Sequence, residues 1–160
     1  MKSKILFSLL LGSALSLSAQ QGFKDGVEYY RADQPEEAAI ILNNTLNDAA
    51  TDQSTAYYYL GQIALQGGDK ATAKADFDKG VTLNPSNGYN YVGLGALALA
   101  DGNASAAAGY FKDAKKNAKK NADILTEIAR AYFVADPVKY ATEIDKALAD
   151  AKKAQKNAPS

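Results

Sequence analysis

A chain of 160 residues with 18 basic and 18 acidic side chains carries no formal net charge, and it has neither histidine nor cysteine. That length is one ordinary domain, and the even charge offers no electrostatic footprint for nucleic acid. The missing imidazoles and thiols remove the commonest general base, the commonest metal ligand and the thiol nucleophile together, along with any disulfide framework. No catalytic residue, metal site or cofactor is expected. The acidic residues fall mostly at helix caps and on polar faces, Glu28 and Glu127 lie inside helices without an evident carboxylate partner, and no strand-like run leads into a glycine-rich phosphate loop.

Residues 1–19 have the layout of a secretory signal peptide: the basic Met1-Lys2-Ser3-Lys4, an apolar run from Ile5 to Leu11, then small and polar residues to Gln20. The apolar run falls short of the roughly 20 residues that span a bilayer, so it does not read as a retained anchor. No cysteine follows it to carry a lipid. Cleavage after Ala19 is expected, with export to the periplasm, the cell envelope or the medium. Loss of the leader takes Lys2 and Lys4 from the 18 basic residues and leaves the 18 acidic ones, a net charge of −2.

Residues 20–160 read as a helical domain of four units. In the first, about 20–50, Gly26, Tyr29, Ala38, Leu42 and Thr45 fall at helical spacings. Asp33-Gln34-Pro35 separates two helices, with Asp33 expected to cap the second and Pro35 tolerated in its first turn. Glu36 and Glu37 follow where negative charge suits the helix dipole. The second unit, 54–87, is better punctuated. Tyr57, Leu60, Gly61 and Ala64 form one stripe, Gly67-Gly68 ends that helix, and Asp69 can cap the next, which runs through Ala73, Phe77 and Val81 to Asn84-Pro85. The third unit, 88–121, repeats this pattern with Asn103 as cap and extends through Lys112 to Ala118, with a boundary near Asn121. In the fourth, 122–158, Leu125, Ile128, Ala129 and Tyr132 mark the first helix and Asp136-Pro137 the start of the second. There either Ile144-x-x-Ala147 or Ala147-x-x-x-Ala151-x-x-Ala154 fits the packing stripe.

Tyr57-x-x-Leu60-Gly61…Gly68-Asp69…Ala73-x-x-x-Phe77 returns 34 residues later as Tyr91-x-x-Leu94-Gly95…Gly102-Asn103…Ala107-x-x-x-Phe111. Self-similarity at a fixed period means stacked units. Glycine inside a helix costs about 0.5–1 kcal/mol relative to alanine, so Gly61 and Gly95 make sense as sites of close approach. Ala129, Ala73 and Ala107 stand at matching offsets, and Tyr57, Tyr91, Phe77 and Phe111 are the expected large knobs between them.

Period and pattern together resemble the tetratricopeptide repeat (TPR) family. The resemblance implies an all-α solenoid of about four antiparallel helix-turn-helix repeats whose first helices line a concave groove for a peptide or partner protein. Eight of the ten tyrosines lie on those first helices. Carried over by position, the groove takes Phe23, Val27, Tyr30 and Arg31 from the first repeat and Thr55, Tyr58, Gln62 and Leu65 from the second. Tyr89, Val92, Ala96 and Leu99 follow from the third, then Thr126, Arg130 and Phe133 from the fourth. Tyrosine and arginine concentrate binding energy at interfaces; the expected partner-binding set is Phe23, Tyr30, Arg31, Tyr58, Gln62, Tyr89, Arg130 and Phe133. The family's lysine-asparagine-arginine clamp for chaperone tails is not expected, because Phe23 and Val27, or Tyr58 and Gln62, occupy its lysine and asparagine positions. Lys112, Lys115, Lys116, Lys119 and Lys120 read as a solvated outer face. Two function classes fit: an exported adaptor that holds a protein segment in its groove, or a structural spacer, part of a longer array, that helps assemble an envelope complex.

Overall fold

Local capping chemistry sets the helix boundaries. The computed structural model describes residues 20–48, 51–118 and 121–156, which form eight α-helices and no strand. These are α1 (residues 20–31), α2 (Pro35–Thr45), α3 (Gln53–Gln66), α4 (Lys70–Leu83), α5 (Gly88–Ala100), α6 (Ala104–Ala118), α7 (Ala122–Ala135) and α8 (Ala141–Lys156). The leader, residues 1–19, lies outside the described residues, as do Lys119 and Lys120. Asp52, Asp69, Asn87, Asn103 and Asn121 each accept a hydrogen bond from a backbone N–H in the first turn of the following helix, at 2.9–3.1 Å, which satisfies donors that would otherwise face water alone.

Asp33 departs from the cap expected of it. Its φ is +60°, Gln34 takes the capping position before α2, and the Gln34 side chain makes no capping bond. Gly68 and Gly102 hold the equivalent turns of the next two repeats at φ +82° and +74°, so the solenoid makes one left-handed turn three times and fills it with aspartate only once. The fourth repeat differs again. Asp136 is extended and its carboxylate accepts from Val138 N and Lys139 N at 3.0 and 2.8 Å, which ties residues 137–140 into a turn and delays α8 to Ala141, later than Pro137 had implied. Along α8 the buried stripe is Ala147, Ala151 and Ala154, continued towards the turn by the half-buried Ile144 and by Tyr140, so residues of both expected stripes pack against the core. Lys146, Lys152 and Lys156 face outward.

The helices pack as consecutive antiparallel pairs stacked side by side, an α-solenoid of TPR-like repeats. Close approach happens at glycine. A Cβ on Gly61 would fall inside 3.0 Å of three ring atoms of Phe77, and one on Gly93 would meet the same three atoms. The fully buried Phe77 ring is therefore held between the first helices of two neighbouring repeats. Gly95 stands in the same relation to Phe111, which packs against Tyr132 with centroids 4.8 Å apart and the rings tilted by 59°. A second joint is polar. Asn90, wholly buried, donates from Nδ2 to the Ser54 carbonyl at 2.9 Å, while Ser54 Oγ donates to the Gly80 carbonyl at 2.9 Å. A side chain on Gly80 would collide with Asn90. This cluster pins α3, α4 and α5 in one register, since misplacing any of them would strand a buried polar group. Among the described residues no helix is long and apolar enough to cross a membrane.

Candidate functional site: the concave face

Stacked repeats rotate by a small angle at each step, and the accumulated rotation curls the first helices α1, α3, α5 and α7 around a concave face. On this chain the curl is tight enough for the first and fourth repeats to touch. Arg130 Nη2 on α7 donates to the Tyr30 hydroxyl on α1 at 2.6 Å, and the guanidinium carbon lies 5.1 Å from the Tyr30 ring centre. The other branch of Arg130, Nη1, pairs with Glu127 Oε2 at 3.3 Å. Glu127 Oε2 also accepts from the Tyr58 hydroxyl at 2.8 Å, so that α7 reaches α3 across α5. Gln66 Nε2 donates more weakly to the Tyr30 hydroxyl, at 3.4 Å. One carboxylate and one guanidinium thus gather side chains from α1, α3 and α7.

Burial decides what these groups can do. Tyr58 is fully buried, and its pKa is raised well above the ordinary phenol value by that burial and by the adjacent Glu127 carboxylate. Burial also raises Tyr30, although Arg130 works against it. For Arg130, burial opposes the charge, but Tyr30 and Glu127 outweigh it and hold the guanidinium above its ordinary pKa. At neutral pH Tyr30 and Tyr58 therefore keep their hydroxyl protons and Arg130 its charge: the Tyr58 hydroxyl donates to Glu127, while the Tyr30 hydroxyl accepts from Arg130 and Gln66.

Beside this network lies a cavity of about 390 Å³. Leu65 on α3, Ala96 and Leu99 on α5, and Ala131 and Val134 on α7 supply its apolar lining; Gln62, Gln66, Lys70, Glu127 and Arg130 supply polar groups. The volume lies within the range of cavities that bind small molecules or single protruding side chains. Lys70 is tied to the C-terminal end of α5 by bonds to the Ala100 carbonyl at 2.9 Å and Asp101 Oδ1 at 2.7 Å.

The eight groove candidates from the sequence thus have different surroundings. Gln62 and Arg130 line the cavity. Tyr30 and Tyr58 are buried, their hydroxyls used within the chain, and Phe23 and Tyr89 are half-buried. Phe23, Tyr30, Tyr58 and Tyr89 belong to a continuous aromatic run with Tyr59, whose neighbouring ring centroids are 5.1–6.5 Å apart. Arg31 is exposed, and its charge works against the burial that raises the Tyr59 pKa. Phe133 is 59% exposed on the same stretch of α7 as Val134.

Sequence reasoning missed Glu127, Gln66 and Lys70. For Glu127 a signal existed: it stands 34 residues after Gly93, so a carboxylate occupies a position where the preceding repeat has room for no side chain at all.

No protein-family model matches this chain, and no curated protein sequence does. Solved structures do resemble it. A crystal structure of MamA, a TPR-like protein, superposes with a TM-score of 0.52 at 19% identity over 86% of this chain and 78% of that one. Another MamA crystal structure superposes with a TM-score of 0.53 at 20% identity over 89% and 78%. At such identities the likeness is one of fold: this chain is built, like MamA, as a TPR-like stack of helix pairs.

Proposed function

We propose that this chain is an exported TPR-type scaffold that holds a segment of a partner protein on its concave face. The observation that carries the reading is the cavity, which joins an apolar lining from α3, α5 and α7 to convergent polar groups. A side chain from a docked segment has there both area to bury and hydrogen bonds to orient it. Binding without catalysis agrees with a sequence that holds no histidine and no cysteine. Export rests on the signal-peptide layout of residues 1–19 and places the partner in the envelope or outside the cell.

The test fills the cavity and leaves the outer surface intact. A partner captured from the envelope of the host should bind Ala131→Leu about tenfold or more weakly, a loss of roughly 1.4 kcal/mol. Lys116→Ala, an exposed change on α6, should alter affinity by less than about 0.5 kcal/mol. Stronger loss from Lys116→Ala than from Ala131→Leu would put the binding surface on the convex side and sink the proposal. The export half is read separately by the mass of the processed protein, which should begin at Ala19, Gln20 or Gln21; an intact Met1 in the envelope fraction would refute it.

A further inference from the structure

We infer that Tyr30, Gln66, Glu127 and Arg130 form a latch between the first and fourth repeats, which sets the curvature of the solenoid and with it the width of the concave face. In a solenoid each repeat ordinarily touches only its neighbours, so curvature is the sum of small rotations and bends easily. The bond from Arg130 Nη2 to the Tyr30 hydroxyl breaks that rule. It joins residues 100 positions apart in the chain and closes a ring of side chains through α1, α3 and α7. Such a cross-brace converts a bendable arc into a loop whose opening requires one defined interaction to break.

The groups are suited to holding and releasing. Arg130 is shared between a phenol and a carboxylate, and its side chain keeps 40% of its exposure while that of Glu127 keeps 21%, so water can replace either bond without leaving a buried charge bare. Glu127 is anchored from the other side by Tyr58, which is wholly buried and cannot move without disturbing the core. The latch therefore has a fixed part, Tyr58 with Glu127 and the buried Tyr30, and a movable half, the Arg130 side chain. Cavity-lining residues sit directly beside it: Gln66, Glu127 and Arg130 belong to both. When the movable half is closed, the cavity admits what fits about 390 Å³. Once it is open, the concave face widens. The latch stands on side-chain geometry and does not depend on the partner-binding proposal.

The chain contains no cysteine, so two introduced ones can carry spin labels without interference. Lys24 on α1 and Val138 after α7 are both exposed, and a pulsed electron resonance measurement on the full chain, with no partner added, reads the distance between them. The native protein should give one narrow distance distribution. Tyr30→Phe, which deletes a single hydroxyl, and Arg130→Gln should each broaden it or shift it to longer distance, and the double variant should go no further than the larger single change, because both remove the same bond. Unchanged distributions in both variants would overturn the latch, as would additive effects. Should Arg130→Gln fail to fold, as judged by circular dichroism, Tyr30→Phe alone decides: a native distribution in that variant refutes the inference.

Discussion

Two alanine substitutions at helical glycines should move stability in opposite directions. Gly109 lies mid-helix in α6, exposed, with open space where a Cβ would go. Gly109→Ala should stabilise by about 0.5–1 kcal/mol, the cost of glycine's backbone freedom in a helix. Gly61 gains the same propensity on substitution. Its new Cβ, however, would fall inside 3.0 Å of three atoms of the Phe77 ring, a contact that real side chains do not tolerate. The ring has little room to retreat, because it is fully buried and the same three atoms already lie against Gly93. Overpacking a filled site costs about 1–3 kcal/mol, and with escape blocked the upper half of that range applies. Net of the propensity gain, Gly61→Ala should destabilise by about 1–2.5 kcal/mol. Urea denaturation followed by circular dichroism measures both, and the two variants should straddle the parent. If Gly61→Ala unfolds at the same urea concentration as Gly109→Ala, then Phe77 is not clamped between repeats and the account of the helix joints is wrong.

Asp33→Gly should raise stability by roughly 0.5–1 kcal/mol, because a left-handed backbone strains a residue with a Cβ and the two equivalent turns already use glycine; a loss of stability in a thermal melt would show that the Asp33 side chain matters more than its backbone strain. Tyr58, Tyr30 and Tyr59 all have pKa values raised by burial. A group whose folded pKa lies above its unfolded value contributes stability that is complete below the unfolded pKa and is lost as pH rises. Unfolding should therefore begin as pH climbs past about 10, with phenolate absorbance from these tyrosines appearing together with loss of helix; phenolate signal from all ten tyrosines in a chain that is still fully helical would contradict the burial.

Much of this molecule was legible in its residues one repeat at a time. The spacing of Tyr57, Leu60, Gly61 and Ala64, the caps at Asp69 and Asn103, the boundary near Asn121 and the stop at Asn84-Pro85 depend on forces acting within a turn or two of helix, which the chain writes locally. The pairing of Gly61 with Phe77 follows nearly as directly, since both lie in one repeat and the contact recurs at Gly95 and Phe111. Asp33 was misread because aspartate serves equally as a helix cap and as a tolerable left-handed residue, and only the turn geometry separates the two. Where the second helix of the last repeat begins, and which of its alanines pack, depended on the Asp136 turn.

The concave face belongs to the tertiary structure. Whether Arg130 reaches Tyr30 depends on rotations summed over three steps between repeats. Nothing in the spacing of residues 30 and 130 records that sum. Tyr58 shows the same limit: its position on the inner stripe of α3 was readable, but its complete burial and its bond to Glu127, 69 residues away, arise only when α7 curls back over the face of α5. Helix and repeat are encoded by neighbours along the chain, whereas the site is made by residues that meet only after every repeat has stacked.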